Sequence, residues 1–357
     1  EVVRSMLCSI HAASVKIMTS GDSLGTPAGA VDNQDQLDAL RDDLRLIVMS
    51  ATLDAEPVAK LIGGAPVVTS QGRSFPVELR YLDRPIKRSF RKGERLEDHA
   101  TTLIEKALSE TRGSVLVFLP GEGEIRRVQS ALQVPEDVVV RPLFGAMPFA
   151  EQRKAIQPAK TGRKVVLATS IAETSLTIED VRVVVDCGLA RRAEFDAGSG
   201  MSRLVTQRVS QAEAKQRAGR AGRVAKGQCY KLWTKGEDGA LPAFPPAEIE
   251  AADLAPLALE LAQWGTDDLA FLTPPPAGTL AEARRLLVAL GALDGAHRIT
   301  QHGRAIAALP LQPRLAHMLL TAGKAAAPLA ALLAGRDPLR GAPVDLELRM
   351  RALHGRY

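Results

Sequence analysis

Short apolar runs, separated by stretches of helical periodicity, constrain the fold of this chain more than any other feature. The runs lie at 46–49, 115–119, 138–140, 165–168 and 181–185, and the helical stretches lie at about 97–110, 121–132 and 149–157. Strands that are apolar throughout are typical of parallel sheets, because helices then cover both faces of the sheet. The sequence therefore predicts an α/β fold built on a parallel sheet.

Three loops that follow the predicted strands are candidates for a binding site. In parallel sheets of this kind, ligands bind beyond the carboxyl ends of the strands. The loops are Pro120-Gly121, the segment 169–175 and the segment 187–209. Within the last segment, Ala-Gly-Ser-Gly at 197–200 lies between two strand-like stretches and predicts a hairpin turn, which could equally be an inert connection.

The segment 216–223, Gln-Arg-Ala-Gly-Arg-Ala-Gly-Arg, indicates a helix that presents a polyphosphate-binding face. Helical residues turn by about 100° each, so Gln216, Arg220 and Arg223 fall on one stripe. The residues Ser-Gln-Ala-Glu at 210–213 have the form of a capping box, which predicts that the helix begins there. The stripe therefore has a defined origin.

A solvated basic helix face is the alternative interpretation of the same segment. Two glycines, Gly219 and Gly222, disfavour it, because each costs about 1 kcal/mol of helix propensity relative to alanine. Close approach of the backbone to a ligand or to a facing domain would call for them. Arg217 points away from the stripe and takes no part in this prediction.

Charge and composition favour an anionic partner. The net charge is +5, and residues 203–235 carry nine Lys or Arg against the single acid Glu213. Aromatic residues make up only 4% of the chain, so contacts to nucleic acid are expected at phosphates rather than by stacking on bases. The three cysteines lack metal-binding spacing and fit a reducing cytoplasm. No apolar run approaches a membrane span, which predicts no membrane partner.

The outer parts of the chain differ from its middle. Residues 1–45 show no clear periodicity, and prolines at 242, 245 and 246 mark a boundary. Helices are then predicted at about 251–264 and 279–291, the second starting with a capping box at 279–282. The stretch 291–300 could form the short strands of a winged helix-turn-helix, although a plain bundle fits as well. The predicted domains are 1–70, 71–240, 241–310 and 311–357.

Four short motifs occur in one order along the chain, and together they resemble a known family. They are Ser50-Ala51-Thr52, Phe118-Leu119-Pro120-Gly121, the segment 168–178 and the segment 216–223. In this order they look like motifs III, IV, V and VI of DEAH-type superfamily 2 RNA helicases, most closely those of the bacterial HrpB type. The first tripeptide is common, whereas the last two motifs at this spacing are very specific. The resemblance runs from about Leu44 to near the end.

The resemblance implies a role for each of the matched polar residues. Gln216 would position the attacking water, and Arg220 and Arg223 would contact the phosphates of ATP. The other implied roles are RNA binding by Thr169 and Ser170, nucleotide binding by Ser175, Thr177 and Glu179, and coupling of the nucleotide site to strand separation by Ser50 and Thr52. Ser170 and Glu179 depart from the family pattern, which has Asn and Asp there in many members. An ordinary helix cap or strand-to-helix turn is the alternative for Ser175, Thr177 and the Ser-Ala-Thr motif.

The resemblance also implies a domain order and a division of labour. The expected order is the remnant of a first RecA-like domain, a second RecA-like domain, a winged-helix-type domain and the start of a helical region. ATP and Mg²⁺ would be held mainly by the first domain, whose Gly-x-x-x-x-Gly-Lys-Ser/Thr loop and Asp-Glu-x-His box do not occur in this sequence. No metal ligand is predicted within the chain itself.

The expected protein is thus part of an ATP-dependent RNA helicase that is inactive alone, either as a fragment or as the product of a disrupted reading frame. Its partner would be RNA, with single-stranded DNA as an alternative, and its oligomeric state is left open. The competing hypothesis is a nucleic-acid-binding fragment without ATPase activity.

Overall fold

The computed structural model describes most of the chain from residue 55 onward. The described residues are 55–61, 64–69, 74–86, 95–159, 162–174, 178, 180–266, 269, 271–335, 337–339, 342–353 and 355, together with the backbone of strands at 16–19 and 46–49. They divide into two compact units. One contains the described residues of Val48–Pro246, and the other contains those of Ala247–Tyr357.

A six-stranded parallel sheet organises the first unit. Its strands lie in the order β3-β10-β7-β4-β6-β5, and every neighbouring pair is parallel. In chain order they are β3 (Val77–Leu82), β4 (Ser114–Phe118), β5 (Val138–Leu143), β6 (Arg163–Ala168), β7 (Val181–Asp186) and β10 (Gly227–Thr234). Four of these are the strands expected from the apolar runs, so the predicted α/β class is confirmed.

Two strands of this sheet, β3 and β10, lack a continuous apolar run. Strand β10 is largely buried but carries Lys231 in its middle, where the ammonium lies 2.7 Å from a carboxylate oxygen of Asp238. Strand β3 lies at an edge of the sheet and alternates polar residues, Glu78 and Arg80, with apolar ones. Edge strands commonly carry charges, which discourage pairing with another chain.

Helices cover both faces of the sheet. They are α2 (Leu96–Glu110), α3 (Glu122–Ala131), α4 (Phe149–Ile156), α5 (Ile171–Thr174) and α6 (Gln211–Gly219), after a short α1 (Ala55–Leu61). Side chains alternate between the faces along each strand. In β4, Val115 and Val117 pack with residues of α2 and α3, whereas Leu116 and Phe118 pack with residues of α4, α5 and α6. The predicted helices at 97–110, 121–132 and 149–157 are confirmed.

A separate antiparallel hairpin stands between β7 and α6. Its strands, β8 (Leu189–Asp196) and β9 (Met201–Arg208), pair along their whole length from Leu189–Arg208 to Asp196–Met201. Residues 197–200 form the turn, which confirms the predicted hairpin. The run at 46–49 does not join the large sheet, because β2 (Leu46–Met49) pairs with β1 (Lys16–Thr19) in a sheet of two strands.

The unit after Pro246 is helical. A short α7 (Lys235–Gly239) precedes it, and its helices are α8 (Glu248–Ala251), α9 (Ala255–Trp264), α10 (Ala277–Ala289), α11 (Gln301–Ala307), α12 (Pro313–Ala322), α13 (Ala327–Ala334) and α14 (Leu346–Leu353). Helix α10 begins after Pro276, so the prediction that it starts with a capping box at Thr279 is wrong. Proline suits the start of a helix because its missing N–H would have no partner there. Between α10 and α11, Leu293 and Ile299 form one antiparallel bridge.

One segment of this unit, Pro313–Ala334, is apolar and long enough to cross a membrane by length and composition alone, which is weak support for a span. The expectation that no segment approaches this length is therefore wrong. In the structure the segment is not one helix, since a 3-10 turn at Gly323–Ala326 separates α12 from α13. These helices have ten and eight residues, each fewer than the ~20 that a spanning helix needs.

Candidate functional site

The carboxyl edge of the sheet brings together the loops that follow β4, β6 and β7. These strands are neighbours, and the backbone N–H of Leu119 donates to Ala168 O at 2.8 Å, while that of Cys187 donates to Phe118 O at 3.2 Å. Thr169 is half-buried and its N–H donates to Leu143 O at 3.2 Å, whereas Ser170 is exposed. Both predicted RNA-binding residues therefore lie at the edge where ligands bind in such folds.

Helix α6 begins at the predicted capping box. The hydroxyl of Ser210 accepts from the N–H of Glu213 at 3.2 Å, and the carboxylate of Glu213 accepts from the N–H of Ser210 at 2.7 Å. The α-helix ends at Gly219 and continues as a 3-10 turn over Arg220–Gly222. A 3-10 turn advances about 120° per residue instead of about 100°, so the predicted stripe is twisted at its end.

The three residues of the predicted stripe differ in exposure. Gln216 is half-buried, Arg220 is only 5% exposed, and Arg223 is exposed. Burial and the positive charge of Arg223 lower the pKa of Arg220 to about 10, although the carboxylate of Glu173 acts in the opposite direction. Partial burial also lowers the pKa of Arg223. Two neighbouring guanidinium groups with lowered pKa values form a place where a bound anion would relieve repulsion.

Arg217 holds the arginine-rich helix onto the sheet. Its side chain is 1% exposed, and its guanidinium forms ion pairs with Glu173 of α5 and Asp186 at the end of β7, the latter at 2.9 Å. It also donates to Leu189 O at 3.1 Å and lies 4.9 Å from the centre of the Phe118 ring. Its position outside the stripe is as predicted, and its role as an anchor was missed.

A sequence signal for this anchor exists in the spacing of the alanines of α6. Ala214, Ala218 and Ala221 are buried, and they mark the face of the helix that contacts the sheet. Arg217 falls on that face, because it lies three residues after the first alanine and four before the last. A lone arginine within a buried alanine stripe indicates a buried ion pair, for which the chain offers Glu173 and Asp186.

The two glycines of the segment, Gly219 and Gly222, have different structural surroundings. A Cβ on Gly222 would lie 2.4 Å from the carbonyl oxygen of Phe75, whose N–H donates to Gly222 O at 2.8 Å. The close approach at Gly222 is thus to the chain's own backbone leading into β3, not to a ligand or a facing domain. A Cβ on Gly219 would meet no described atom within 4 Å. Only Gly219 leaves space where a ligand could approach the backbone.

Five of the predicted site residues lie outside the described residues: Ser50, Thr52, Ser175, Thr177 and Glu179. Their predicted roles stay predictions. The described residues bring Thr169, Ser170, Gln216 and Arg220 into one compact unit, with Arg223 at the end of the same segment. Among all the residues that the structure describes, no group of three or more His, Cys, Asp or Glu side chains could hold a metal ion.

The described residues could contact the phosphates of a nucleotide, but they offer no cluster of ligands for its metal ion. The fit is carried by Arg220, which is buried with a lowered pKa beside a second arginine, and by the open backbone at Gly219. Arginine suits phosphate oxygens because its planar fork can donate two hydrogen bonds and stays charged. These residues would contact phosphates and would leave Mg²⁺ to ligands from elsewhere.

Comparison with known proteins assigns the chain to a family. Residues 98–225 match the helicase conserved C-terminal domain. ATP-dependent RNA helicase HrpB of Escherichia coli (strain K12) is 48% identical over 318 residues, covering 86% of this chain. The pre-mRNA-splicing factor ATP-dependent RNA helicase prp22 of Schizosaccharomyces pombe is 40% identical over 296 residues, covering 79% of this chain.

Solved structures agree with this assignment. A crystal structure of E. coli DExH-box NTPase HrpB has a TM-score of 0.78 at 46% identity and covers 89% of this chain and 40% of that chain. A second, of the Escherichia coli DEAH/RHA helicase HrpB, has a TM-score of 0.79 at 44% identity. The chain spans 38% of the length of HrpB and 25% of that of prp22. Its parallel sheet is the RecA-like helicase C-terminal domain, and the chain belongs to the DEAH-box superfamily 2 helicases of the bacterial HrpB type.

Proposed function

We propose that this chain supplies the arginine side of the ATP site in an ATP-dependent RNA helicase. The observation that carries the proposal is the pair Arg220 and Arg223, in which burial and mutual repulsion lower the pKa of Arg220 to about 10. Phosphates held by a facing RecA-like domain would remove this repulsion. Arg217, bound to Glu173 and Asp186, keeps the helix that carries the pair in place.

In the proposed reaction, Gln216 orients the attacking water, and Arg220 and Arg223 stabilise the charge that develops on the transferred phosphoryl group. An arginine in this position contributes about 10³ to 10⁵ in rate. Ser175, Thr177 and Glu179 would contact the nucleotide, and Ser50 and Thr52 would couple its state to the nucleic acid. Mg²⁺, held mainly by the first RecA-like domain, would neutralise charge on the phosphates when bound.

RNA is the proposed polymer, contacted at its phosphates by Thr169 and Ser170 and by the hairpin of β8 and β9. Single-stranded DNA stays an alternative. A cytoplasmic location also stays a prediction. The sequence contains neither the phosphate-binding loop nor the Asp-Glu-x-His box. We therefore expect the chain alone to bind polyphosphate without turning over ATP.

The test measures binding of inorganic tripolyphosphate to the chain by isothermal titration calorimetry. We expect saturable binding that Arg220→Met abolishes and that Arg203→Met leaves intact, because Arg203 is an exposed arginine of the hairpin. Equal binding by wild type and Arg220→Met would contradict the proposed phosphate site. ATP turnover comparable to that of an intact helicase, abolished by Arg220→Ala, would contradict the expected inactivity of the chain alone.

A second candidate function is nucleic-acid binding without any role for ATP. It is favoured by the excess of basic residues at 203–235, a range that includes most of strand β9 of the hairpin. Salt-dependent RNA binding together with no measurable tripolyphosphate binding would select this function over the first.

A further inference from the structure

An ion pair joins the hairpin to the arginine-rich helix. The Nη2 atom of Arg192, on β8, lies 2.6 Å from each carboxylate oxygen of Glu213, in the first turn of α6. The other terminal nitrogen of Arg192 donates to the side chain of Gln207 at 3.2 Å and to Arg208 O at 3.3 Å, both on β9. Arg192 therefore contacts both strands of the hairpin and the helix at once.

Glu213 is held from two sides. One of its carboxylate oxygens accepts from the backbone N–H of Ser210 at 2.7 Å and from the Ser210 hydroxyl at 2.8 Å. These hydrogen bonds and the charge of Arg192 lower the pKa of Glu213 although burial opposes them. The carboxylate thus caps the helix that carries Gln216 and Arg220 and is also the partner of the hairpin.

An apolar cluster supports the same joint. Ala190 of β8, Val209 at the end of the hairpin and Ala214 of α6 pack with Trp233 and Leu241. All five are at most 5% exposed. A packed joint of this kind transmits displacement, because close-packed side chains have few alternative arrangements.

The neighbouring arginine faces a different element. Arg191 forms an ion pair with Glu124 of α3 at 3.1 Å, and its guanidinium occupies the space where Gly121 would carry a Cβ. Successive side chains of a strand point to opposite faces, so Arg191 and Arg192 anchor the hairpin on two sides. Arg191 connects the hairpin to α3, whereas Arg192 connects it to the arginine-rich helix.

We propose that Arg192 is a positioning residue that couples the hairpin to the phosphate-contacting arginines, through Glu213 and the first turn of α6. The far end of the hairpin is available to a ligand, since Met201 and Leu204 are 66% and 69% exposed. A nucleic-acid strand bound there displaces β8, and the ion pair carries this displacement to α6, which leads into the turn that contains Arg220. This inference rests on the proposed function and adds how nucleic acid regulates the phosphate site.

Coupling between two sites is reciprocal and is measured as a ratio of affinities. In the wild-type chain, we expect a short oligouridylate to strengthen or weaken tripolyphosphate binding by about fivefold, the lower end of typical coupling. In Arg192→Gln, both ligands still bind, but the ratio of tripolyphosphate affinities with and without oligouridylate becomes about one. Arg192→Lys keeps the charge and restores part of the effect, whereas Arg191→Gln, the matched control, leaves it unchanged.

Hydrogen exchange measured on the same samples locates the effect. Oligouridylate is expected to change exchange in the hairpin and in residues 211–223 of the wild type, but only in the hairpin of Arg192→Gln. A merely structural role for Arg192 would lower stability and leave the affinity ratio unchanged.

Three outcomes overturn the inference. The first is a wild-type ratio of one although both ligands bind, and the second is a wild-type ratio preserved in Arg192→Gln. If neither ligand binds, the proposed function itself fails and the coupling fails with it. The first two outcomes leave the proposed function standing.

Discussion

Arg217 and Arg220 show how much the surroundings of one residue type decide its role. Both are buried, at 1% and 5% exposure, and they are three positions apart. Two carboxylates raise the pKa of Arg217 against the effect of burial, whereas burial and the charge of Arg223 lower the pKa of Arg220 against the effect of Glu173. Arg217 thus holds the helix against the sheet, and the phosphate contact proposed for Arg220 stays a prediction.

Arg217→Met is expected to destabilise the chain strongly. The substitution leaves the carboxylates of Glu173 and Asp186 buried without their cation, and removing one side of a buried ion pair typically costs about 3–5 kcal/mol. Urea unfolding monitored by circular dichroism measures the change. Arg203→Met, at an exposed position, is the control and should stay within about 0.5 kcal/mol of wild type. A similar effect for both variants would show that the buried pair contributes little.

Arg220→Met is expected to do the opposite and stabilise the chain without ligand. The pKa of Arg220 is lowered to about 10 in the folded state, so the folded state holds this proton less tightly than the unfolded state does. Because solvent near the exposed Arg223 screens part of the repulsion, we expect a gain of only ~1 kcal/mol at neutral pH.

The pH dependence of this gain follows from the direction of the shift. The charge on Arg220 costs stability at all pH values below about 10, and the cost fades as the pH rises above 10 toward the pKa of the unfolded chain. The free energies of unfolding of variant and wild type should therefore differ by a constant amount through neutral pH and converge above pH 10. Saturating tripolyphosphate should reverse the order at neutral pH, because it stabilises only the wild type. A variant less stable than wild type without ligand would refute the argument.

At the scale of elements, the glycines of the arginine-rich segment show where local pattern and tertiary packing separate. Helix propensity treats Gly219 and Gly222 alike, and the sequence indicates only that both need a reason. The reason for Gly222 is the backbone of Phe75, which lies 147 positions earlier in the chain and leads into β3. Such a contact leaves no local trace in the sequence.

The same substitution at these two glycines is expected to have opposite effects. Gly222→Ala places a methyl group 2.4 Å from Phe75 O and 2.8 Å from Cγ2 of Val77, and overpacking of this kind costs about 1–3 kcal/mol. Gly219 has helical dihedral angles, φ −58° and ψ −21°, with open space beside it, so Gly219→Ala should gain about 0.4–1 kcal/mol. Thermal unfolding measures both changes. If Gly219→Ala also weakens tripolyphosphate binding, that space is used by the ligand.

Strands were predictable from the sequence where they are buried on both faces. The apolar runs of β4 and β6 leave no other interpretation at their length, and the hairpin turn at 197–200 is equally local. Strands β3 and β10 were not predicted because their polar residues are satisfied by partners on other elements. Lys231 in β10, for example, is 4% exposed and depends on Asp238 of α7. Periodicity alone cannot reveal a charge whose partner lies on another element.

At the scale of the whole molecule, the order of the motifs was the strongest guide to family and fold. The sequence placed Gln216, Arg220 and Arg223 on one segment and Thr169 and Ser170 at a strand end, and the structure has them there. It did not predict the buried anchor Arg217 or the pair Arg192–Glu213, since both depend on how separate elements meet. Interactions that connect the motifs are thus harder to predict than the motifs themselves.

Binding of RNA by the whole chain is expected to be strongly salt-dependent. The chain has few aromatic residues, 4% in all, and its basic residues are concentrated at 203–235, so contacts should fall mainly on phosphates. For a single strand that contacts four phosphates, raising the salt from about 50 to 200 mM should weaken binding roughly fiftyfold. Fluorescence anisotropy of a labelled oligouridylate measures this change, with ATP added in parallel samples. Removal of one phosphate contact by Arg203→Gln should reduce the slope of log affinity against log salt concentration by about 0.7. An affinity independent of salt would point to base stacking and would contradict phosphate-directed binding.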